Sequence, residues 1–232
     1  MNIHTKHINS MENVSYGLSL FFGLTTLLSI HLFARASGQR LLLRLILLLW
    51  ILLISALTYL GFPQQTNTFP PRLMLMVLPT LITILLLFIT PSGRKWMDSL
   101  NTTRLHWVHV VRIPVELCLY GLFIAKLVPE MMTFAGRNFD ILAGITAPLA
   151  IYFYTQNSLS KIGLLIWNFL SLILLLNIVT TAVLSAPFPF QQFGFEQPNV
   201  AVLMFPFVWL PTCVVPLVLA SHLICIRALL KK

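Results

Sequence analysis

Seven stretches of this 232-residue chain stay apolar for about twenty residues at a time, and that limits its fold more than any other feature. They run roughly over 14–35, 41–61, 73–90, 107–128, 138–156, 162–186 and 200–226. A bilayer's hydrocarbon core is about 30 Å thick, and ~20 helical residues cross it. Within it the backbone must satisfy its own hydrogen bonds, so such runs are expected to be helices. The expected fold is therefore all-α: one integral membrane domain over residues 1–232, a bundle of seven transmembrane helices partnered by the lipid bilayer. The connecting loops are short and leave no soluble domain to carry a site.

Charge sets the expected orientation. Only 9% of residues are charged and 58% are apolar, against about a quarter charged in a soluble domain. The net charge of +9 does not point to nucleic acid, because the basic residues lie at the ends of apolar runs and form no stripe. With seven spans, Arg35, Arg40, Arg44, Arg94, Lys95, Arg104, Lys161, Arg227, Lys231 and Lys232 fall on one side. Lys6, Arg72 and Arg137 fall on the other. That bias predicts a cytoplasmic C-terminus and an outside N-terminus, as in a bacterial inner (plasma) membrane protein. The polar opening, residues 1–13, precedes an apolar run too long for a signal-peptide core, which is kept as a span. Trp96 and Trp107 bracket the largest cytoplasmic loop as interface anchors. Cys118, Cys213 and Cys225 are odd in number and lie in apolar segments, so free buried thiols are expected.

Two outer loops, "FPQQTNTFPPRLMLMVLP" and "FPFQQFGFEQPNVAVLMFP", align at an offset of 127 residues, pairing Gln64 with Gln191 and Pro79 with Pro206. The offset also lays span one on span five and span three on span seven. A 3+1+3 parallel repeat would follow, a layout similar to that of the SWEET sugar carriers. The resemblance is one of topology alone, since none of their sequence motifs is present. Chance matches at proline-rich helix ends are the alternative.

Span four is the polar exception. Arg112 and Glu116 are four residues apart and share a helix face, as do Lys126 and Glu130. Tyr120 lies on nearly the same stripe. A charge facing lipid costs several kcal/mol, so this face is expected to look into the bundle or a cavity. Arg112, Glu116, Asn177 and Tyr120 are therefore the candidate substrate-binding residues. An intramembrane salt bridge, or an Arg112 that snorkels to the headgroups, is the plainer alternative. Beyond the span, Glu130, Arg137, Asn138 and Asp140 form a candidate outer polar cluster, although Asn138 or Asp140 also suits a helix cap.

His31, His106, His109 and His222 fall at one expected depth, and His31, His109 and His222 are candidate ligands for haem or a metal. Interfacial histidines that never meet would look the same in sequence. Asn168 and Asn177 interrupt span six. Pro206, Pro211 and Pro216 weaken span seven at five-residue steps, which suits either a hinge or a static kink. Walker, HExxH and GxSxG sequences are absent, and span seven holds no retinal-binding lysine.

The expectation is a small-solute or ion transporter with a polar intramembrane cavity. A haem- or quinone-binding membrane subunit and a non-catalytic scaffold or assembly protein are the alternatives.

Overall fold

The computed structural model describes residues 15–38 and 40–231. The polar opening with Lys6, and Lys232 of the charge count, lie outside the described residues. All regular structure among the described residues is helical. Among the described residues six helices are long and apolar enough to cross a membrane: α1 (Tyr16–Ala36), α2 (Arg40–Tyr59), α3 (Arg72–Ile89), α5 (Thr102–Ile124), α7 (Lys161–Ser185) and α8 (Leu210–Leu230). Between them lie the short α4 (Pro91–Asp98) and the shorter apolar α6 (Asp140–Thr155).

Helices α1, α5 and α8 form the centre. Within its most apolar window α8 is 61% buried, against 17% for α2 and 11% for α3, which therefore turn most of their surface outward. The central helices carry polar side chains, and α1 shows how they are accommodated. The hydroxyls of Thr25, Thr26 and Ser29 donate to carbonyls one turn back in their own helix, at 2.9, 3.1 and 2.8 Å. That leaves no unsatisfied donor at the interface. Helix α2 is tied to α8 by two indoles. Trp50 Nε1 donates to the Thr212 carbonyl at 2.9 Å, and Trp209 Nε1 to Ser55 Oγ at 3.1 Å. Such bonds hold helices together where no hydrophobic force does.

The basic helix ends gather at one end of the bundle. The Asn101 amide donates to the Ala36 carbonyl at 3.0 Å, and Arg104 donates to the Arg35 carbonyl at 3.3 Å. Lys231 and Arg227 pair with Asp98 there, the latter at 3.4 Å. The α3–α4 corner is tight because Gly93 lies where a Cβ would meet Leu87 Cα at 2.5 Å.

Span four and span five differ from expectation in a way that matters. Helix α5 passes through a 3-10 turn at Trp107–Val111 and stops at Ile124, short of the expected 128. Lys126 takes φ 61°, its amide bonds the Phe123 carbonyl, and the Leu127 amide bonds the Leu122 carbonyl. This Schellman cap reverses the chain. Instead of forming an outer loop in water, the chain turns back between helices. Leu127, Val128, Met132, Thr133 and Asn138 are all buried. The Leu127 carbonyl accepts the Val200 and Ala201 amides, and Gln197 Nε2 donates to the Val128 carbonyl at 2.5 Å. Irregular backbone can run inside a helical bundle when its polar groups are bonded in this way. Helix α6 then starts beside the middle of α5, not at a surface. Its 16 residues span about 24 Å at ~1.5 Å per residue, less than a full crossing.

The stretches aligned by the 127-residue offset adopt different backbones. Residues Arg72–Ile89 form a continuous helix with Pro79 inside it, whereas Pro206 lies in irregular chain before the π-helical turn Leu210–Val214.

Candidate functional site

Arg112, 2% exposed, is the hub of the bundle's interior. Its Nε donates to Asp140 Oδ2 at 2.7 Å and its Nη2 donates to Asp140 Oδ1, a two-pronged ion pair between α5 and α6. Nη2 also donates to the Ser171 carbonyl of α7 at 2.9 Å, and Nη1 to His222 Nε2 of α8 at 3.2 Å. One guanidinium thus joins four helices. Its planar fork presents several donors at fixed angles, which a lysine does not.

The donor-only character of arginine fixes the protonation of everything beyond it. His222 Nε2 must accept, so its proton is on Nδ1, which donates to Asn168 Oδ1 at 3.2 Å. Asn168 Nδ2 donates to the Leu164 carbonyl at 3.0 Å and to His106 Nε2 at 3.1 Å. His106 then carries its proton on Nδ1 and donates to the Thr102 carbonyl at 2.8 Å. All hydrogen bonds run one way, from α5 through α8 and α7 back to α5. The chain is unsuited to relaying protons, because neither guanidinium nor amide passes them on readily. It works as a lock.

Two groups are left over. His109 is fully buried and stacks on His222 with centroids 3.8 Å apart, while both of its ring nitrogens lack a hydrogen-bond partner. Glu116 is 1% exposed. Its Oε1 accepts from Asn138 Nδ2 at 2.5 Å, while Oε2 is buried without a partner. Asn138 also donates to the Met132 carbonyl at 3.0 Å, and its Oδ1 accepts the Asp140 amide at 3.0 Å. It therefore satisfies the first amide of α6 and orients Glu116 at once.

Glu116, Arg112 and Asp140 form the polar part of the wall of a cavity of about 400 Å³. The rest is apolar, with Leu73, Val77, Leu175 and Val218 from three helices. Pro211, Val214 and Pro216 of α8 close one side.

The sequence-predicted residues divide. Arg112 and Glu116 do share a face and a cavity, but Arg112 pairs with Asp140, not with Glu116. Asn138 and Asp140, expected at the outer mouth, lie inside beside them. Glu130 and Arg137 stay exposed and apart from the cavity. Asn177 faces outward and donates to the Arg137 carbonyl at 3.3 Å. Tyr120 is 38% exposed and stacks on Phe134, because the chain folding back under α5 covers that part of its face. His31 lies away from the other histidines, with Nδ1 against Arg44 at 3.2 Å. A haem or metal held jointly by His31, His109 and His222 does not fit, since both nitrogens of His222 are engaged and His109 is stacked on its ring. The direct partners that sequence reasoning missed are the Ser171 carbonyl and the His106–Asn168–His222 sequence of bonds.

No curated protein and no solved structure matches this chain. A family model described as a domain of unknown function, DUF8737, matches residues 69–230, which contain Arg112, Glu116, Asn138, Asp140, the locking network and all of α5 to α8. The chain belongs to the DUF8737 family.

Proposed function

We propose that the protein is a membrane carrier for a small amphipathic solute, bound in the cavity at Glu116. The observation that carries this reading is Glu116 Oε2, a buried carboxylate oxygen without a partner beside a mostly apolar cavity. Buried polar atoms are nearly always satisfied, so one left open on a cavity wall is a binding group. The lining suits a hydrocarbon body, and Oε2 suits a group that donates a hydrogen bond, such as an amine, a hydroxyl or a proton. Arg112 and Asp140 neutralise each other and hold the wall in place.

On this reading the chain crosses the bilayer seven times, N-terminus outside and C-terminus cytoplasmic. The segment 125–139, with Leu127, Val128, Met132, Thr133 and Asn138 buried, and α6 together make the fifth crossing. The gathered basic helix ends support that orientation. The π-helical turn and prolines of α8 supply a wall whose backbone bonds are already broken, a form suited to movement. A binding subunit for a quinone-like molecule is the second reading, favoured by the apolar lining.

The test begins with a thermal-stabilisation screen of the purified protein against amphipathic amines, alcohols and short-chain quinones. Hits go into proteoliposome flux assays. Glu116→Gln should abolish both stabilisation and flux while leaving the unliganded melting temperature within a few degrees. Unchanged flux in Glu116→Gln would remove Glu116 from the mechanism. Binding without flux would select the quinone-like reading.

A further inference from the structure

A second, larger concavity of about 620 Å³ lies on the opposite side of α8, between α1, α2, α3 and α4. Phe33, Leu43, Leu47, Trp50, Ile84 and Trp96 line it. The threonines and the Trp50 indole of its lining are already bonded within the protein. Thr80, Thr83 and Thr212 donate to carbonyls of their own helices at 2.7, 2.8 and 2.8 Å, and Trp50 Nε1 is spent on the Thr212 carbonyl. The groove therefore calls for hydrocarbon.

One end of it is strongly basic. Arg40 and Arg44 lie one helical turn from the lining residues Leu43 and Leu47. Arg94 and Lys95 are exposed and adjoin the lining residue Trp96. None of these four cations forms an ion pair among the described residues. The acidic side chain of α4, Asp98, is already taken by Lys231 and Arg227. An uncompensated basic rim at the mouth of an apolar groove between helices matches an acyl chain that carries an anionic headgroup.

We propose that this groove is a binding site for an anionic phospholipid, its acyl chain between α2, α3 and α8 and its phosphate at Arg40, Arg44, Arg94 and Lys95. The site is separate from the Glu116 cavity and stands whether or not the protein transports anything. Bound lipid would fill the gap between the loosely packed α2 and α3 and the centre of the bundle.

The experiment uses the full chain reconstituted in phosphatidylcholine vesicles with a trace of spin-labelled phosphatidylglycerol or, in parallel, spin-labelled phosphatidylcholine. The motionally restricted fraction is read by electron paramagnetic resonance. Phosphatidylglycerol should be retained well over tenfold above phosphatidylcholine, because four cations act on one phosphate. Each cation near the surface is worth about 1 kcal/mol, so Arg40→Gln or Arg94→Gln should reduce that preference by roughly fivefold. Thr83→Phe, which fills the groove without touching the rim, should lower retention of the anionic lipid while the melting temperature holds. Equal retention of the two lipids, or a preference untouched by all three variants, overturns the proposal. So does cross-linking that shows a second copy of the chain covering the groove.

Discussion

Replacing Asp140 by alanine should be among the most damaging single changes the protein can suffer. The substitution leaves the Arg112 guanidinium buried at 2% exposure with no hydrogen-bonded counter-charge, its remaining bonds being those to the Ser171 carbonyl and His222. Removing one partner of a buried ion pair costs about 3–5 kcal/mol. The lower end is expected here, because an unfolded chain still in the membrane finds other partners. Arg112→Met should cost a similar amount, since it strips the donor from His222 Nε2 and the Ser171 carbonyl and leaves Asp140 charged. The double variant Arg112→Met, Asp140→Ala removes both charges, so it should lose little more than either single change, a coupling of about 3 kcal/mol. Arg112→Lys should not rescue, because one ammonium cannot serve Asp140, Ser171 and His222 together. The assay is reversible unfolding in mixed micelles followed by tryptophan fluorescence. Trp167, whose ring centroid is 6.0 Å from that of His222, reports the locked region. Additive single and double effects, or a loss below about 1 kcal/mol for Asp140→Ala, would refute the argument that one guanidinium holds four helices.

Three further outcomes test other parts of the fold. Gly144→Ala should destabilise by about 1–3 kcal/mol in the same assay, because its Cβ would meet Ile113 at 2.9 Å and wedge α6 away from Arg112. Lys126→Gly should be neutral or should stabilise by up to ~1 kcal/mol, because it relieves a left-handed residue at φ 61°; a clear loss of stability would mean that the lysine side chain itself anchors the turn. The hydrogen bond from Lys231, and then Arg227, holds the Asp98 carboxyl below the ordinary aspartate range. Its folded-state affinity for protons is lowered, so the clamp between α4 and α8 should persist above about pH 4 and open only as pH falls through the lowered value. Carbon-detected titration of Asp98 should show that low midpoint, and Lys231→Gln should raise it.

How far the sequence could be read depends on which property was being read. Apolar length located the helices, since the bilayer and the helix rise leave few choices. Residue spacing showed that Arg112 and Glu116 share a face, because helical geometry is local. It could not show that Arg112 would bond Asp140, twenty-eight residues later. That contact depends on where the chain goes after Ile124, and the cause is a lysine adopting a conformation usually left to glycine. Residues 125–139 contain Glu130 and Arg137, which signal an exposed loop, yet the buried positions between them are apolar or cap-forming. "GRNFD" did carry a usable clue: an Asn two residues before an Asp at the start of an apolar run is a helix-start pattern. Nothing in it gave the depth at which that helix begins. Asn177 and Tyr120 were misplaced for a related reason. Polarity inside a span says that a residue needs a partner, and a carbonyl or a ring at the bundle's rim can be that partner.

The Trp50 bond to the Thr212 carbonyl has a further consequence. In an unbroken helix that carbonyl would receive the amide of residue 216, and residue 216 is a proline with no amide to give. The indole of α2 occupies the socket that the proline leaves open in α8. The two positions, 166 residues apart in the chain, therefore act as lock and key. Restoring an amide with Pro216→Ala would evict Trp50 and loosen α2. Removing the indole with Trp50→Phe would strip that carbonyl of the bond, at a residue that is fully buried. A helix break usually read as weakness is here the feature by which one helix recognises its neighbour.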